Sequence, residues 1–203
     1  RNHSSAASDV YKRQEQDLFR YVDENGNDFD IKAEHINEYL DQKMENKYTA
    51  KDFRTWAASW KTGARLAMVS EASEKEISQL PELHREAVEN SEKDGFPPYV
   101  EWCGRYLKGT EGLAKLAESG NLPGETDKER MATMLAVIDT VAADLGNTRA
   151  VCRSSYIRPM FMEDWDDRVF LDRWNEAKKG QIRGENMWPD ETAAINYMKK
   201  WEE

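Results

Sequence analysis

The helix predicted between residues 126 and 146 constrains the fold more than any other feature of the sequence. Thr126 and Glu129 form a capping box, and apolar residues recur at helical spacing from Met131 to Leu145. Gly146 follows the last of them, and glycine commonly ends a helix. The clearest structural signal in the chain is therefore α-helical.

Other segments carry the same kind of signal. Thr49, with Asp52 three residues later, predicts the start of another helix. Helices are also predicted over about 33–44, over about 165–177 and after Pro189. A turn-rich run at 23–27 precedes a short extended piece. The predicted fold class is mainly α, with at most a short β element near residues 19–31.

The charge of the chain limits the partners that it can have. Its 203 residues include 39 acids and 29 bases, and the formal net charge is -10. An acidic field disfavours non-specific adhesion to DNA or to an anionic membrane. Any contact with nucleic acid must therefore come from a concentrated basic patch.

The composition indicates a globular protein of a reducing compartment. Seven tryptophans in a chain of mean hydropathy -0.89 are typical of a folded domain with a few large aromatic anchors. The two cysteines, Cys103 and Cys152, give no disulfide framework. No apolar run approaches the roughly 20 residues of a membrane span. No membrane partner is predicted, and the cytoplasm is the expected location.

One stretch, residues 145–159, is a basic patch of the required kind. It contains Tyr156, Arg149, Arg153 and Arg158, and no acid. Thr148 is predicted to cap a short helix there. A local phosphate site is the first interpretation of this pattern, and the alternative is a surface helix with a half-buried tyrosine. Spacing alone favours the surface helix, because a tyrosine beside arginines has no unique chemistry.

A second motif bears on that choice. Residues 49–56 read Thr-Ala-Lys-Asp-Phe-Arg-Thr-Trp at the start of a capped helix. Asn147, within the sequence Leu-Gly-Asn-Thr, stands nine residues ahead of Tyr156. Together these boxes resemble the catalytic domain of the type IB DNA topoisomerases, specifically the short bacterial and poxvirus-like branch. The resemblance is strong over 50–56 and 145–159, and it implies the helical catalytic fold that this family shares with tyrosine recombinases.

The resemblance implies that Tyr156 is a nucleophile that nicks and reseals one strand of double-stranded DNA. Its oxygen would attack the scissile phosphorus, form a 3′-phosphotyrosyl link and release a 5′-hydroxyl, without metal, ATP or another cofactor. Arg54 would stabilise the charge on the phosphate, since a guanidinium offers paired donors and stays charged. Asn147 takes the position where many relatives carry a histidine. Its amide can donate to a phosphate oxygen but cannot move a proton.

Further DNA contacts follow from the same resemblance. Lys51, one helical turn before Arg54, would help to hold the phosphate or the backbone beside it. Contacts with DNA are also expected from Thr148, Arg149, Arg153 and Arg158. The three arginines could instead merely offset nearby acids. A monomer associated with the nucleoid is expected.

The chain also departs from the family. The family carries an arginine and a general-acid lysine upstream of these boxes, and neither has a matching position here. General acid catalysis contributes roughly 10²–10⁴-fold to a rate, so the chain is expected to be an incomplete, weakly active fragment. The amino-terminal clamp of the family is missing too, and DNA binding should therefore be weak and strongly dependent on salt.

The expected domain organisation has three parts. Residues 1–14 look like the read-through of a sequencing adapter and are predicted to be a disordered, non-native leader. The catalytic domain is predicted to span residues 15–203. Because Arg54 and Asn147 are 93 residues apart, which is longer than the usual spacing, an insertion is predicted at about 71–124. Its acidic character indicates a surface segment away from DNA or, if it folds over the tyrosine, a lid.

Two other functions stay open. A tyrosine recombinase performs the same chemistry, but its second box is typically His-x-x-Arg with a later histidine, whereas this chain has Lys51, Arg54 and Asn147. From a different class, the chain could be an acidic helical interaction domain with no activity. Convergence of Arg54, Asn147 and Tyr156 on one face would favour the enzyme, and their scattering over different faces would argue against it.

Overall fold

The computed structural model describes residues 20–45, 47–94, 108–180 and 187–201. The chain divides into two compact units, Arg1–Phe53 and Arg54–Glu203. The described ranges are mostly helical and contain one two-stranded sheet, which confirms the predicted mainly α fold class. The leader predicted at 1–14 lies outside these ranges. None of the helices described is long and apolar enough to cross a bilayer.

A β-hairpin opens the first unit. Strand β1, Arg20–Val22, pairs antiparallel with β2, Asp28–Asp30. Tyr21 lies opposite Phe29, and their stacked rings have centroids 5.3 Å apart. Aromatic pairs across two strands are a typical source of hairpin stability. The short β element predicted near residues 19–31 is therefore present.

Two helix starts follow the hairpin. Helix α1, Ala33–Lys43, matches the segment predicted over about 33–44. Helix α2, Ala50–Glu71, begins as predicted: the main-chain N–H and the hydroxyl of Thr49 both donate to the carboxylate of Asp52, at 2.8 and 2.7 Å. These bonds lower the pKa of Asp52, since they favour its charged form. Helix α2 begins in the first unit and continues in the second.

The second unit is a packing of helices around α2 and α6. The helices after α2 are α3 (Glu74–Ser78), α4 (Leu80–Asp94), α5 (Glu111–Glu118), α6 (Asp127–Leu145), α7 (Arg149–Ser155), α8 (Pro159–Asp166), α9 (Phe170–Ala177) and α10 (Pro189–Trp201). The predicted ends of α6 are both confirmed. Thr126 and Glu129 form the capping box, and Gly146 ends the helix with a left-handed backbone at φ 65°.

The helix predicted over about 165–177 is wrong as a single element. The structure has α8 and α9 instead, separated by a turn in which Arg168 has φ 62°. The main-chain N–H of Val169 closes the turn by donating to the main-chain oxygen of Asp164 at 3.0 Å. The apolar periodicity continues across the break because Trp165, Phe170 and Trp174 are all buried in one aromatic cluster.

That aromatic cluster also fixes the last helix. Tyr197 of α10 packs against Phe161 with ring centroids 5.1 Å apart, and its hydroxyl donates to the carboxylate of Asp164. Arg173 donates to the other oxygen of Asp164 at 2.7 Å. Burial and the neighbouring carboxylate raise the pKa of Tyr197. Helices α8, α9 and α10 are thus joined around one satisfied carboxylate.

The segment predicted as an insertion at about 71–124 contributes to the core of the second unit. Ile77, Leu80 and Leu113 are fully buried, and α5 packs against both α3 and α6. The expected surface location therefore does not hold for these three residues, whose side chains are covered by neighbouring helices. Whether the segment is an insertion relative to the family stays a prediction. Residues 95–107 lie outside the described ranges.

Candidate active site

Arg54 contacts the carboxyl-terminal end of α6. It lies in the second turn of α2 and is half-buried, and its Nη2 donates to the main-chain oxygen of Leu145 at 2.8 Å. Leu145 is the last residue of α6. The final carbonyls of a helix have no partner within the helix and carry the negative end of its dipole. A guanidinium is therefore stabilised at this position.

Asn147 follows directly in the turn that ends α6. Its main-chain N–H donates to the oxygen of Ala142 at 2.8 Å, and the left-handed Gly146 before it makes that turn possible. The side chain of Asn147 is different. Its Nδ2 is buried and has no hydrogen-bond acceptor among the residues that the structure describes. A buried donor without an acceptor costs about 1–3 kcal/mol.

Helix α7 follows this turn and ends at Tyr156. The hydroxyl of Thr148 accepts from the main-chain N–H of Val151 at 3.3 Å, so the predicted cap is confirmed. Cys152 on the inner face is fully buried, and burial raises the pKa of its thiol to about 11. Tyr156 ends the helix, with its main-chain N–H bonded to the oxygen of Cys152 at 3.1 Å, and is half-buried.

Arg54 also contacts Tyr156. Its Cζ atom lies over the tyrosine ring, 5.1 Å from the ring centroid, in the range of a cation–π contact. The same guanidinium bonds Leu145, two residues before Asn147. Arg54 and Tyr156 are therefore brought into contact, and Asn147 lies in the turn beside them.

Ser59 attaches the segment of Tyr156 to α2. Its buried hydroxyl donates to the main-chain oxygen of Tyr156 at 3.3 Å and accepts from the main-chain N–H of Arg158 at 3.1 Å. The partners are 97 and 99 residues away in sequence. A lone serine on an apolar helix face carries no functional signal, so the sequence analysis missed Ser59.

A buried group of ions joins α2 to α6. Oδ2 of Asp144 accepts from Nζ of Lys61 at 2.7 Å and from Nη2 of Arg65 at 2.5 Å. Nη1 of Arg65 donates to the hydroxyl of Thr140 at 2.9 Å. Burial lowers the pKa of Arg65, and the carboxylate of Asp144 opposes that shift. The sequence analysis did not identify this group either, because its members lie far apart in the chain.

The residues expected to contact DNA have different surroundings. Arg149 is paired with Asp139 through two hydrogen bonds, one of them from Nε at 2.6 Å, and these bonds raise its pKa. Arg149 therefore offsets a nearby acid in this structure. Arg153 and Arg158 are exposed, the latter at the start of α8. Lys51 is exposed in the first turn of α2, within the first unit.

Comparisons with known proteins bear on these residues. A family model described as the eukaryotic DNA topoisomerase I catalytic core matches residues 5–170. The match therefore includes α2, α6, α7 and Tyr156. No curated protein and no solved structure gave a significant match.

Proposed function

We propose, from the premise that the chain belongs to the family of the eukaryotic DNA topoisomerase I catalytic core, that it is a type IB enzyme whose nucleophile is Tyr156. In this proposal it relaxes supercoiled DNA by cutting and resealing one strand of the duplex. The boxes at 50–56 and 145–159 support its assignment to the bacterial and poxvirus-like branch. Two features favour a topoisomerase over a tyrosine recombinase. The box at 50–56 has Lys51 with Arg54, and Asn147 takes the position where a recombinase typically has histidine.

One observation carries the assignment of the site. The guanidinium of Arg54 lies over the ring of Tyr156 while one of its N–H groups bonds the oxygen of Leu145. A guanidinium has five N–H donors in a fixed fork, so donors remain for a phosphate that approaches the tyrosine. Two donors to non-bridging oxygens would stabilise the charge that accumulates as the new bond forms. Arg54 is therefore assigned to the phosphate attacked by Tyr156.

Asn147 is assigned to the same phosphate. Its Nδ2 has no acceptor in the described part of the chain, although it is buried. A phosphate oxygen would supply that acceptor. An amide donates but has no proton to transfer, so Asn147 contributes to charge stabilisation and takes no part in acid–base chemistry.

The proposed reaction conserves the energy of the broken bond. The phenolic oxygen of Tyr156 attacks phosphorus, the bond to the 5′-oxygen breaks, and a 3′-phosphotyrosyl ester forms. The phenolic proton leaves to solvent, and the departing 5′-oxygen takes a proton from solvent. After the free strand rotates, the 5′-hydroxyl attacks the ester and restores both the strand and the tyrosine. No ATP is needed, because one phosphodiester is exchanged for another.

The same chemistry explains why we propose a weak enzyme. The general-acid lysine that the family carries upstream has no match in this sequence. Without a positioned acid the 5′-oxygen departs as a poor leaving group, which costs roughly 10²–10⁴-fold in rate. A leaving group with a lower pKa removes this need, and a thiol has a reference pKa of about 8.5.

The proposed DNA contacts come from the residues that the family resemblance identifies. Arg153 and Arg158 are exposed cations next to the nucleophile in sequence, and Thr148, Arg149 and Lys51 complete the proposed set. A protein that contacts phosphates in this way binds more weakly as the salt concentration rises. We further propose a monomer associated with the nucleoid in the cytoplasm.

The test is a covalent trap. A duplex whose cleaved strand carries a 5′-bridging sulfur, at a position mapped beforehand by suicide cleavage, is incubated with the protein and denatured. We expect a protein–DNA adduct that retains a label placed on the 5′ side of the break, since the ester is to the 3′-phosphate. Tyr156→Phe should form no adduct. Tyr39→Phe, which removes the hydroxyl of an exposed tyrosine in α1, should react like the parent.

The outcomes are distinct. An adduct that persists in Tyr156→Phe would overturn the choice of nucleophile. A folded parent that forms no adduct with any such duplex would favour the non-enzymatic interaction domain. Strand exchange between two duplexes, without relaxation of a plasmid, would favour the recombinase.

A further inference from the structure

Three cations of α2 converge on the carboxyl-terminal end of α6. Arg54 bonds the main-chain oxygen of Leu145, and Lys61 and Arg65 bond the carboxylate of Asp144, one residue earlier in the chain. Arg65 also bonds Thr140, one turn further back. Charged groups thus join the two helices at successive positions along α2.

Asp144 is an unfavourable residue for its position. An acid in the last turn of a helix opposes the helix dipole. Its side chain is only 3% exposed, and within the described ranges Oδ1 has no hydrogen-bond partner. The desolvation of a buried ion costs several kcal/mol, and replacing a buried ion pair by apolar residues is often neutral or stabilising. Stability alone therefore does not account for this carboxylate.

The geometry around Asp144 supports another role. Apolar packing between helices is non-directional, whereas charge-assisted hydrogen bonds fix the direction and distance of both partners. The carboxylate receives two such bonds from α2, and the next carbonyl in the chain orients Arg54. The turn that carries Asn147 begins immediately after that carbonyl.

We propose that Asp144 is a positioning residue for strand cleavage. It pins the last turn of α6 to Lys61 and Arg65, so that Arg54 and Asn147 meet the phosphate that Tyr156 attacks. This inference rests on the proposed function and adds to it a residue that touches no substrate. A displacement of about 1 Å at a reacting centre costs on the order of 10²-fold in rate.

The first test is a double-mutant cycle. The rate of adduct formation is measured in a single turnover, at saturating concentrations of the sulfur-containing duplex, for Asp144→Asn alone and combined with Arg54→Ala. We expect Asp144→Asn to slow the parent at least about tenfold, and to change DNA affinity by less than about twofold. In the Arg54→Ala background it should slow the reaction by a clearly smaller factor than in the parent, because one of the two groups that it positions is gone.

A merely structural role predicts a different result. Asp144→Asn would then slow both backgrounds by the same factor, and that outcome overturns the proposal. Asp164→Asn is the matched control, since it neutralises another buried, ion-paired carboxylate of the second unit, bonded to Arg173 and Tyr197. It should lower the unfolding midpoint without changing the rate at which the folded protein forms adduct. Equal slowing by both substitutions would assign the effect to stability.

Replacing the whole group of ions by apolar residues separates a positioning role of Asp144 from an effect on stability. In the triple variant Lys61→Met, Asp144→Leu and Arg65→Met, no buried charge is left unpaired. We expect its unfolding midpoint to equal or exceed that of Asp144→Asn. It should still form adduct at least about tenfold more slowly than the parent. A stable triple variant with the parental rate would overturn the proposal.

One further variant guards against failure to fold. Lys61 is partly exposed, at 24%, so Lys61→Met keeps the fold and removes one of the two bonds to Asp144. It should slow adduct formation by about threefold or more, and an unchanged rate contradicts the proposal. The proposed function is tested separately: if the parent forms no Tyr156-dependent adduct, that function fails. A Tyr156-dependent adduct that none of these variants slows overturns the positioning role alone.

Discussion

The guanidinium of Arg54 lies over the ring of Tyr156, with its Cζ atom 5.1 Å from the ring centroid. The phenolic oxygen is at the edge of that ring, whereas the guanidinium contacts the face of the ring. A second contact, from Nη2 to the main-chain oxygen of Leu145 at 2.8 Å, also holds the guanidinium. One side chain thus links the candidate nucleophile to the turn that carries Asn147.

Arg54→Lys tests whether this geometry or only the charge is needed. Lysine keeps the charge but presents its three donors from one nitrogen and has no planar fork, so it cannot bind the phosphate in a bidentate manner while it also bonds Leu145. We expect single-turnover cleavage to fall about 10²–10³-fold, as for the loss of one transition-state donor. The control is Arg85→Lys, an exposed arginine of α4 outside the proposed DNA contacts, which should keep the parental rate. A parental rate in Arg54→Lys would show that the charge alone is needed.

Asn147→Ala should separate activity from stability. The amide has no acceptor for Nδ2 in the described structure, so its removal costs no hydrogen bond. We expect cleavage to fall about 10²-fold while the free energy of unfolding in urea stays the same or rises. Asn196→Ala is the opposite case, because its Nδ2 donates to Thr192 at 3.0 Å. That variant should lose about 1 kcal/mol or more and keep its rate.

Ser59→Ala should loosen the segment that carries Tyr156. The change removes both hydrogen bonds of the buried hydroxyl, and we expect the free energy of unfolding to fall by about 1–3 kcal/mol. Cleavage should slow as well, because the nucleophile is less firmly held. Ser70→Ala is a matched change in the same helix, where the hydroxyl bonds only the main-chain oxygen of Leu66, at 2.9 Å, among the residues described. If Ser70→Ala slowed cleavage as much as Ser59→Ala, Ser59 would have no special role in holding the segment of Tyr156.

The arginines near the site should differ in their contribution to DNA binding. The slope of log K against log salt concentration should become about one unit shallower in Arg153→Ala, as expected for one phosphate contact. Arg149→Ala should change the slope less, because Asp139 already neutralises that cation. Asp139→Asn should strengthen binding by releasing Arg149. Equal changes of slope in the two arginine variants would show that DNA displaces Asp139.

Features determined by near neighbours in sequence could be predicted. The capping box of Thr126 and Glu129, the cap at Thr148 and the stop at Gly146 all depend on residues within one turn, and the structure has each of them. The break at Arg168 was missed because the apolar periodicity continues through it. A helix interruption changes the backbone without changing which residues are buried.

Contacts across the chain could not be predicted in this way. Arg54 and Tyr156 were singled out because their motifs resemble a known family, and no local pattern indicates that one lies over the other. Ser59 and Asp144 are ordinary helix residues in the sequence, and their partners are 79 to 99 residues distant. Their roles depend on packing, which periodicity does not encode.

The oxygen that orients Arg54 belongs to the main chain, so no substitution at Leu145 can delete it. A saturation mutagenesis screen should therefore score position 145 as tolerant of other apolar residues. Gly146 should behave in the opposite way. An added Cβ there meets no atom within 4 Å, yet its φ of +65° disfavours every side chain. The screen would record a sequence constraint at a glycine where a side chain would contact nothing, while the neighbouring residue whose oxygen makes the contact would accept other apolar residues.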